Sequence, residues 1–145
     1  MEKENKMRFE FDSNSVNEGF ARVTVAAFAA QLNPTLDEIE DIKTAVSEAV
    51  TNSIIHGYEE QQGTVEVTCA IGGDTVHIEV IDKGKGIVDV EQAKAPFFTT
   101  KPELERSGMG FSFMEAFMDE VQVTSTVGEG TKVTMTKILT RRKDK

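Results

Sequence analysis

The sequence predicts an α+β protein: a two-layer α/β sandwich in which helices cover one face of a single mixed, mostly antiparallel sheet. Three observations lead there. Two runs of β-formers, Thr64 to Ile71 and Thr75 to Asp82, flank Gly72-Gly73-Asp74, a linker with strong hairpin chemistry. A second pair, Val121 to Val127 and Lys132 to Ile138, surrounds the turn Gly128-Glu129-Gly130. Before and between these pairs, apolar residues recur at helical spacing.

The first element is short. Arg8-Phe-Glu-Phe-Asp12 alternates polar and apolar side chains and reads as a strand, and Ser13 to Asn17 offer capping groups for the helix that follows. Phe20, Val23, Ala27, Phe28 and Leu32 mark the expected buried stripe of that helix, which Asn33-Pro34 ends. Thr35 then caps a second helix running to about His56. Asp37, Glu38 and Glu40 put negative charge in its first turns, where the helix dipole favours it. Ile39, Ile42, Val46, Ala49 and Val50 form its apolar stripe, and Gly57 is its terminator. After the central hairpin, periodicity is lost from Gly86 to about Gly110, a stretch with Pro96, Pro102, paired threonines and mixed charges. Irregular segments of that length inside a small domain are usually functional, and this one is expected to be a mobile lid. Met109 to Asp119 reads as a third helix, and no internal repeat or linker is visible.

Size and charge narrow the function classes. The 145 residues suit one domain, taken as residues 1–145, and a domain of that size hides roughly 68–70% of its unfolded surface. With 39% hydrophobic and 28% charged residues, no apolar run long enough for a bilayer and no charged-then-apolar leader, the expectation is a soluble cytoplasmic protein. Cys69 is the single cysteine, which excludes an internal disulfide and a cysteine-based metal cluster. A net charge of −9, relieved only by Arg141-Arg142-Lys143, disfavours nucleic acid and anionic membranes as partners. It is compatible with steering toward a basic protein segment.

Chemistry concentrates in three places. Glu48 and Asn52 stand four residues apart in Ser47-Glu-Ala-Val-Thr-Asn-Ser-Ile-Ile-His56-Gly57, a spacing that puts side chains on one helix face about 5–6 Å apart. A carboxylate there can take a proton while the amide oxygen holds a metal. Asparagine is a poor mid-helix residue, which asks for a compensating role, although the same spacing also occurs on an ordinary solvated stripe. Asp82 ends a β-run and is followed by Gly84 and Gly86. The glycines let backbone approach a flat ligand, and the carboxylate can accept from an adenine amino group; a plain strand-ending turn uses the same residues. Lys83 and Lys85 speak against a calcium loop. Ser107-Gly108-Met109-Gly110 opens the third helix, where free N–H groups suit phosphate, or where glycine only serves packing. Neither a complete dinucleotide fingerprint nor a Walker-type loop occurs.

Taken in order, Glu48-x-x-x-Asn52-x-x-x-His56, Asp82-x-Gly84-x-Gly86, Phe98-Thr-Thr-Lys101, Ser107-Gly-Met-Gly110 and Gly130-Thr131 resemble the GHKL ATP-binding domains, of Bergerat fold, over nearly the whole chain. Within that family the pattern is most similar to small anti-sigma serine kinases. The resemblance implies ATP or ADP as ligand with Mg²⁺, which Asn52 coordinates across the phosphates, and Glu48 as general base. It implies that Asp82, with a water, contacts adenine, that Gly84 and Gly86 shape the base pocket, and that Thr131 joins the adenine end. Pro96 to Ser107 then corresponds to the ATP lid, with Thr99, Thr100 and Lys101 near its hinge and Ser107, Gly108, Met109 and Gly110 at the phosphates. Lys101 reads equally as a solvated lid charge. Arg22 matches a first-helix arginine that contacts protein partners. Those partners are a sigma factor and an anti-anti-sigma protein bearing the phosphoacceptor serine, and the chain is expected to form a homodimer. Alternatives are a nucleotide-switched binding module with little kinase activity and a histidine-kinase-type catalytic domain. His56 and His77 receive no catalytic role.

Overall fold

The computed structural model of the chain describes residues 4–58, 62–87 and 110–140. Five strands, β1 (Asn5–Asp12), β2 (Thr64–Gly72), β3 (Thr75–Asp82), β4 (Glu120–Thr126) and β5 (Gly130–Ile138), form one sheet in the order β1-β2-β3-β5-β4. Each of its pairings is antiparallel. The helices are α1 (Asn17–Ala29), α2 (Leu36–Asn52) and α3 (Gly110–Phe117), with a short 3₁₀ turn at Ala30–Leu32 and a π-helical turn at Ser53–Gly57. The expected α+β sandwich is therefore the fold.

Alternation along the strands explains the two layers. Val65, Val67, Cys69 and Ile71 of β2, Val76, Ile78 and Val80 of β3, and Val133 and Met135 of β5 are all buried beneath the helices. Residues of opposite parity make the other face, where Lys132 pairs with Glu79 at 3.7 Å, Arg8 with Glu66 at 3.6 Å, and Thr68 donates to Glu79 at 3.1 Å. Exposed ion pairs of this kind contribute little stability, so the driving force lies under the helices. α2 is central there, packed between α1 and α3.

One expectation about α1 is corrected. Phe20 and Val23 are 55% and 58% exposed, whereas Ala21, Val25 and Ala29 are fully buried. Ala27 is exposed too, while Phe28 and Leu32 pack against the core from its margin. The small residues at i, i+4 and i+8 let α1 lie close to α2, and Phe20 turns instead toward the edge strand, meeting the Phe9 and Phe11 rings edge-on at 5.7 and 6.5 Å. Asn33 ends the helical run in a left-handed conformation, φ 54°, a common stop signal. The strand β1 starts three residues earlier than Arg8, since Asn5 already pairs with Ile71.

The start of α2 is fastened at both ends of one carboxylate. The Thr35 hydroxyl accepts from Glu38 N–H at 3.1 Å while Glu38 accepts from Thr35 N–H at 2.8 Å, a reciprocal capping box. Glu38 also accepts from Thr140 N–H at 2.6 Å, which ties the chain beyond β5 to the helix. Burial pushes this carboxyl upward, but its hydrogen bonds with Thr35 and Thr140 together outweigh burial and hold it below the ordinary glutamate value of 4.5. A depressed folded-state pKa means stability that is present above the unfolded value and lost as pH falls through the folded one. Glu38→Ala is expected to cost about 2 kcal/mol at pH 7. Its deficit should shrink below pH 4.5, which thermal denaturation from pH 7 to pH 3 checks.

Candidate functional site

The site is assembled where α2 ends, beside the β3 and β5 termini that pair Asp82 with Thr131. Glu48 and Asn52 occupy the last turns of α2 and are half-buried. Asn52 is the final α-helical residue, and its side-chain nitrogen is buried with no hydrogen-bond partner among the described residues. Leaving such a group unpaired costs about 1–3 kcal/mol, so this donor is placed for a partner that the described residues do not supply.

Directly after Asn52 the helix widens. Tyr58 N–H reaches back five residues to Ser53 C=O at 3.1 Å, the bond of a π turn, a rare insertion that often marks a functional site. Its effect is to bring Ser53 and Gly57 against the end of β3. Asp82, only 5% exposed, accepts from Gly84 N–H at 3.0 Å, from the Ser53 hydroxyl and from Thr131 N–H. Burial nevertheless dominates, and its carboxyl titrates above the ordinary aspartate value. A buried acid that stays partly short of solvation is a strong acceptor for an incoming amino group.

Glycine is required here by space. A Cβ on Gly84 would stand 2.1 Å from Gly57 C=O, and one on Gly57 would stand 2.9 Å from the Asp82 carboxylate. Lys85 N–H donates to Gly57 C=O at 2.9 Å, stitching the loop after β3 to the π turn. Gly86, at φ 80°, lies so close to the β4–β5 turn that a Cβ would be 2.4 Å from Thr126 C=O. On that side the Ser125 hydroxyl is a hub: it accepts from Ile87 N–H at 2.7 Å, donates to Gly130 C=O at 3.0 Å and meets the Thr131 hydroxyl at 2.8 Å. The loop is thus clamped between helix end and hairpin.

Of the residues expected from sequence, Asp82, Gly84, Gly86 and Thr131 are brought together, Asn52 immediately precedes the Ser53 that reaches Asp82, and Glu48 is one helical turn behind Asn52. Gly110 opens α3, which packs on α2. Thr99, Thr100, Lys101, Ser107, Gly108 and Met109, and the lid expected over Pro96 to Ser107, lie outside the described residues. Arg22 is on α1, apart from this cluster: it pairs with Glu18 at 3.3 Å, and Glu18 accepts from Ser47 of α2 at 2.5 Å. Ser53, Gly57 as a close-approach position, Tyr58 and Ser125 were not marked by sequence reasoning. Their signal was faint: Ser53 and Gly57-Tyr58 simply follow Asn52.

Residues 9–137 match the family described as histidine kinase-like ATPase domain, which is the class that this fold and site define. Solved structures agree on the fold. The RsbU and RsbW domains of a Mycobacterium tuberculosis protein superpose with a TM-score of 0.66 at 24% identity, over 94% of this chain and 32% of that one. The catalytic domain of histidine kinase ThkA superposes with a TM-score of 0.56 at 19% identity, over 92% of this chain and 96% of that one. Closer relatives narrow the class. Anti-sigma F factor of Anoxybacillus flavithermus is 61% identical over 140 residues, 96% of each chain. That of Caldanaerobacter subterraneus is 58% identical over 143 residues, 99% of this chain and 100% of the relative. The chain belongs to the anti-sigma F factor family. No helix among the described residues is long and apolar enough to cross a membrane.

Proposed function

We propose that the protein holds a sigma factor inactive and, with Mg-ATP, phosphorylates a serine of an anti-anti-sigma protein. The observation that carries the nucleotide part is a buried Asp82 followed by Gly84 and Gly86, neither of which has room for a Cβ, together with an Asn52 side-chain nitrogen that is buried without a partner among the described residues and free to donate to a phosphate. Those residues fit the ligand. Asp82 accepts from the adenine amino group, directly and through a water, while Gly84, Gly86 and Thr131 bound the base. Asn52 would hold Mg²⁺ through its amide oxygen, and the ion when bound supplies charge neutralisation across the phosphates. Thr99, Thr100 and Lys101 are assigned to nucleotide binding near the lid hinge, and Ser107, Gly108, Met109 and Gly110 to the phosphate end.

Transfer then asks little covalent chemistry of the chain. The partner serine oxygen bonds to the γ-phosphorus as the β–γ bridge bond breaks, the hydroxyl proton passes to Glu48, and ADP departs. The relatives' name, anti-sigma F factor, supports the sigma-factor partner. Arg22 is assigned to partner contact, and Phe20 and Val23, exposed on the same helix, with Val16 exposed at its N-cap, support a protein-docking role for α1. A homodimer acting in the cytoplasm completes the proposal, and light scattering tests the pairing.

The decisive experiment mixes the chain with candidate sigma and anti-anti-sigma partners in labelled ATP and then in ADP, reading phosphotransfer and complex formation together. Glu48→Gln is expected to lower phosphotransfer about 10²–10⁴-fold with nucleotide affinity nearly unchanged. Full phosphotransfer in that variant removes Glu48 from the base role. Label that survives acid is phosphoserine; acid-labile label would mean histidine-kinase chemistry instead. Equal partner affinity in ADP and ATP would remove nucleotide switching.

A further inference from the structure

The hydroxyl of Tyr58 stands where two strands should still be bonded. In the antiparallel register of β2 with β3 the last pair is Val65 with Asp82, so Thr64 and Lys83 come next. No direct ladder bond joins them; instead Tyr58 Oη accepts from Lys83 N–H at 2.7 Å and donates to Thr64 C=O at 2.6 Å. Both hydrogen-bonding capacities of the phenol are used, each on backbone. The ring is seated on Gly63, where a Cβ would lie 2.4 Å from ring carbon Cε1. Two residues further along the loop, Lys85 N–H is held by Gly57 C=O at 2.9 Å. Between these pins lies Gly84, whose N–H points to Asp82 Oδ1 at 3.0 Å.

We propose that Tyr58 is a positioning residue for purine recognition: wedged between β2 and β3, its hydroxyl aims the Lys83–Gly86 backbone and so sets how Asp82 meets the 6-amino group of adenine. The inference rests on the nucleotide reading above and deepens it to the discrimination of 6-amino from 6-oxo purines. The chemistry follows from the direction of the bonds. Losing the pin on Lys83 lets Gly84 N–H turn away from Asp82, and a carboxylate with one fewer fixed donor no longer presents a fixed acceptor to the base. Asn52 and Gly110, the described residues assigned to the phosphate end, bond to neither Tyr58 nor Lys83, so this change leaves them in place.

Calorimetry with ADP and with inosine diphosphate in magnesium buffer tests it. Inosine diphosphate has the same phosphates and a carbonyl where adenine has its amine. The parent is expected to prefer ADP. Tyr58→Phe keeps the ring on Gly63 and removes both hydrogen bonds; its ADP affinity should fall about tenfold with inosine diphosphate affinity held, so that the preference narrows by about the same factor. Gly63→Ala, which pushes the ring without altering Tyr58, should narrow it in the same direction. A phenylalanine variant with the parental ADP preference overturns the proposal, whatever its melting temperature, because a purely structural tyrosine leaves that ratio alone. A parent that binds neither nucleotide, or both equally, overturns the base-pocket reading itself.

Discussion

Asn52→Ala is expected to abolish magnesium-dependent binding of ATP and ADP while making the unliganded protein more stable. The two effects come from the two ends of one amide. The Asn52 side-chain nitrogen is buried without a partner among the described residues, a situation that costs about 1–3 kcal/mol, and alanine is the better helix former by roughly 0.7 kcal/mol. Removing the amide therefore removes a buried, unpaired donor from the unliganded protein. The same change removes the ligand assigned to Mg²⁺, and with it the charge neutralisation that phosphates need at a helix end already bearing Glu48. Titration calorimetry in magnesium buffer should show no heat for the variant, and its melting temperature should rise by roughly 2–4 °C per kcal/mol gained. Undiminished Mg-ADP affinity would take Asn52 out of the site.

The second large effect is at Asp82. Asp82→Asn should weaken ADP at least about 10²-fold, because a neutral amide facing three donors has no oxygen to spare for adenine. Burial holds the Asp82 carboxyl above the ordinary aspartate value of 3.8. A raised folded-state pKa means that the folded protein binds this proton more tightly than the unfolded chain. The group therefore adds stability below the unfolded value and loses it as pH rises through the folded one. At pH 7 its charge is a cost, so the variant's unliganded stability should stay within about 1 kcal/mol of the parent despite the altered hydrogen bonds. ADP affinity of the parent follows the opposite sign: it should fall as acidification protonates Asp82, beginning at higher pH than for an ordinary aspartate. In the asparagine variant this pH dependence should be gone.

Asn52, Asp82 and the two glycines drew notice as residue types out of place in an element or at a strand end, while Glu48 gained meaning only through the joint order of the motifs and its resemblance to GHKL domains, since spacing alone also fits a solvated helix stripe. The hairpins were legible for a similar reason, Gly73 at φ 59° making the turn its neighbours announce. What sequence hid was burial by small residues. Counting large apolar side chains placed Phe20 and Val23 in the core, when close approach to α2 selects Ala21 and Ala29. The beginning of β1 was hidden because Asn5 and Lys6 join the sheet through backbone at an exposed edge. The clamp around Asp82 was hidden because Tyr58 and Ser125 act on backbone groups 25 and 38 residues away, and no local pattern marks a side chain that serves distant N–H and C=O groups.

The five-residue swelling at Ser53–Gly57 bears on which lengths of this segment evolution can tolerate. An α-helix closes its bonds over four residues and this turn over five, so the segment carries one residue more than regular winding needs. Deleting that residue would yield a smoother helix with better local bonding, yet it would swing Gly57 and Tyr58 by about a third of a turn, off Lys85 and Lys83. Insertions and deletions are thus penalised here by lost alignment rather than lost helicity, and the irregularity is the feature that a more stable redesign of this helix would erase first.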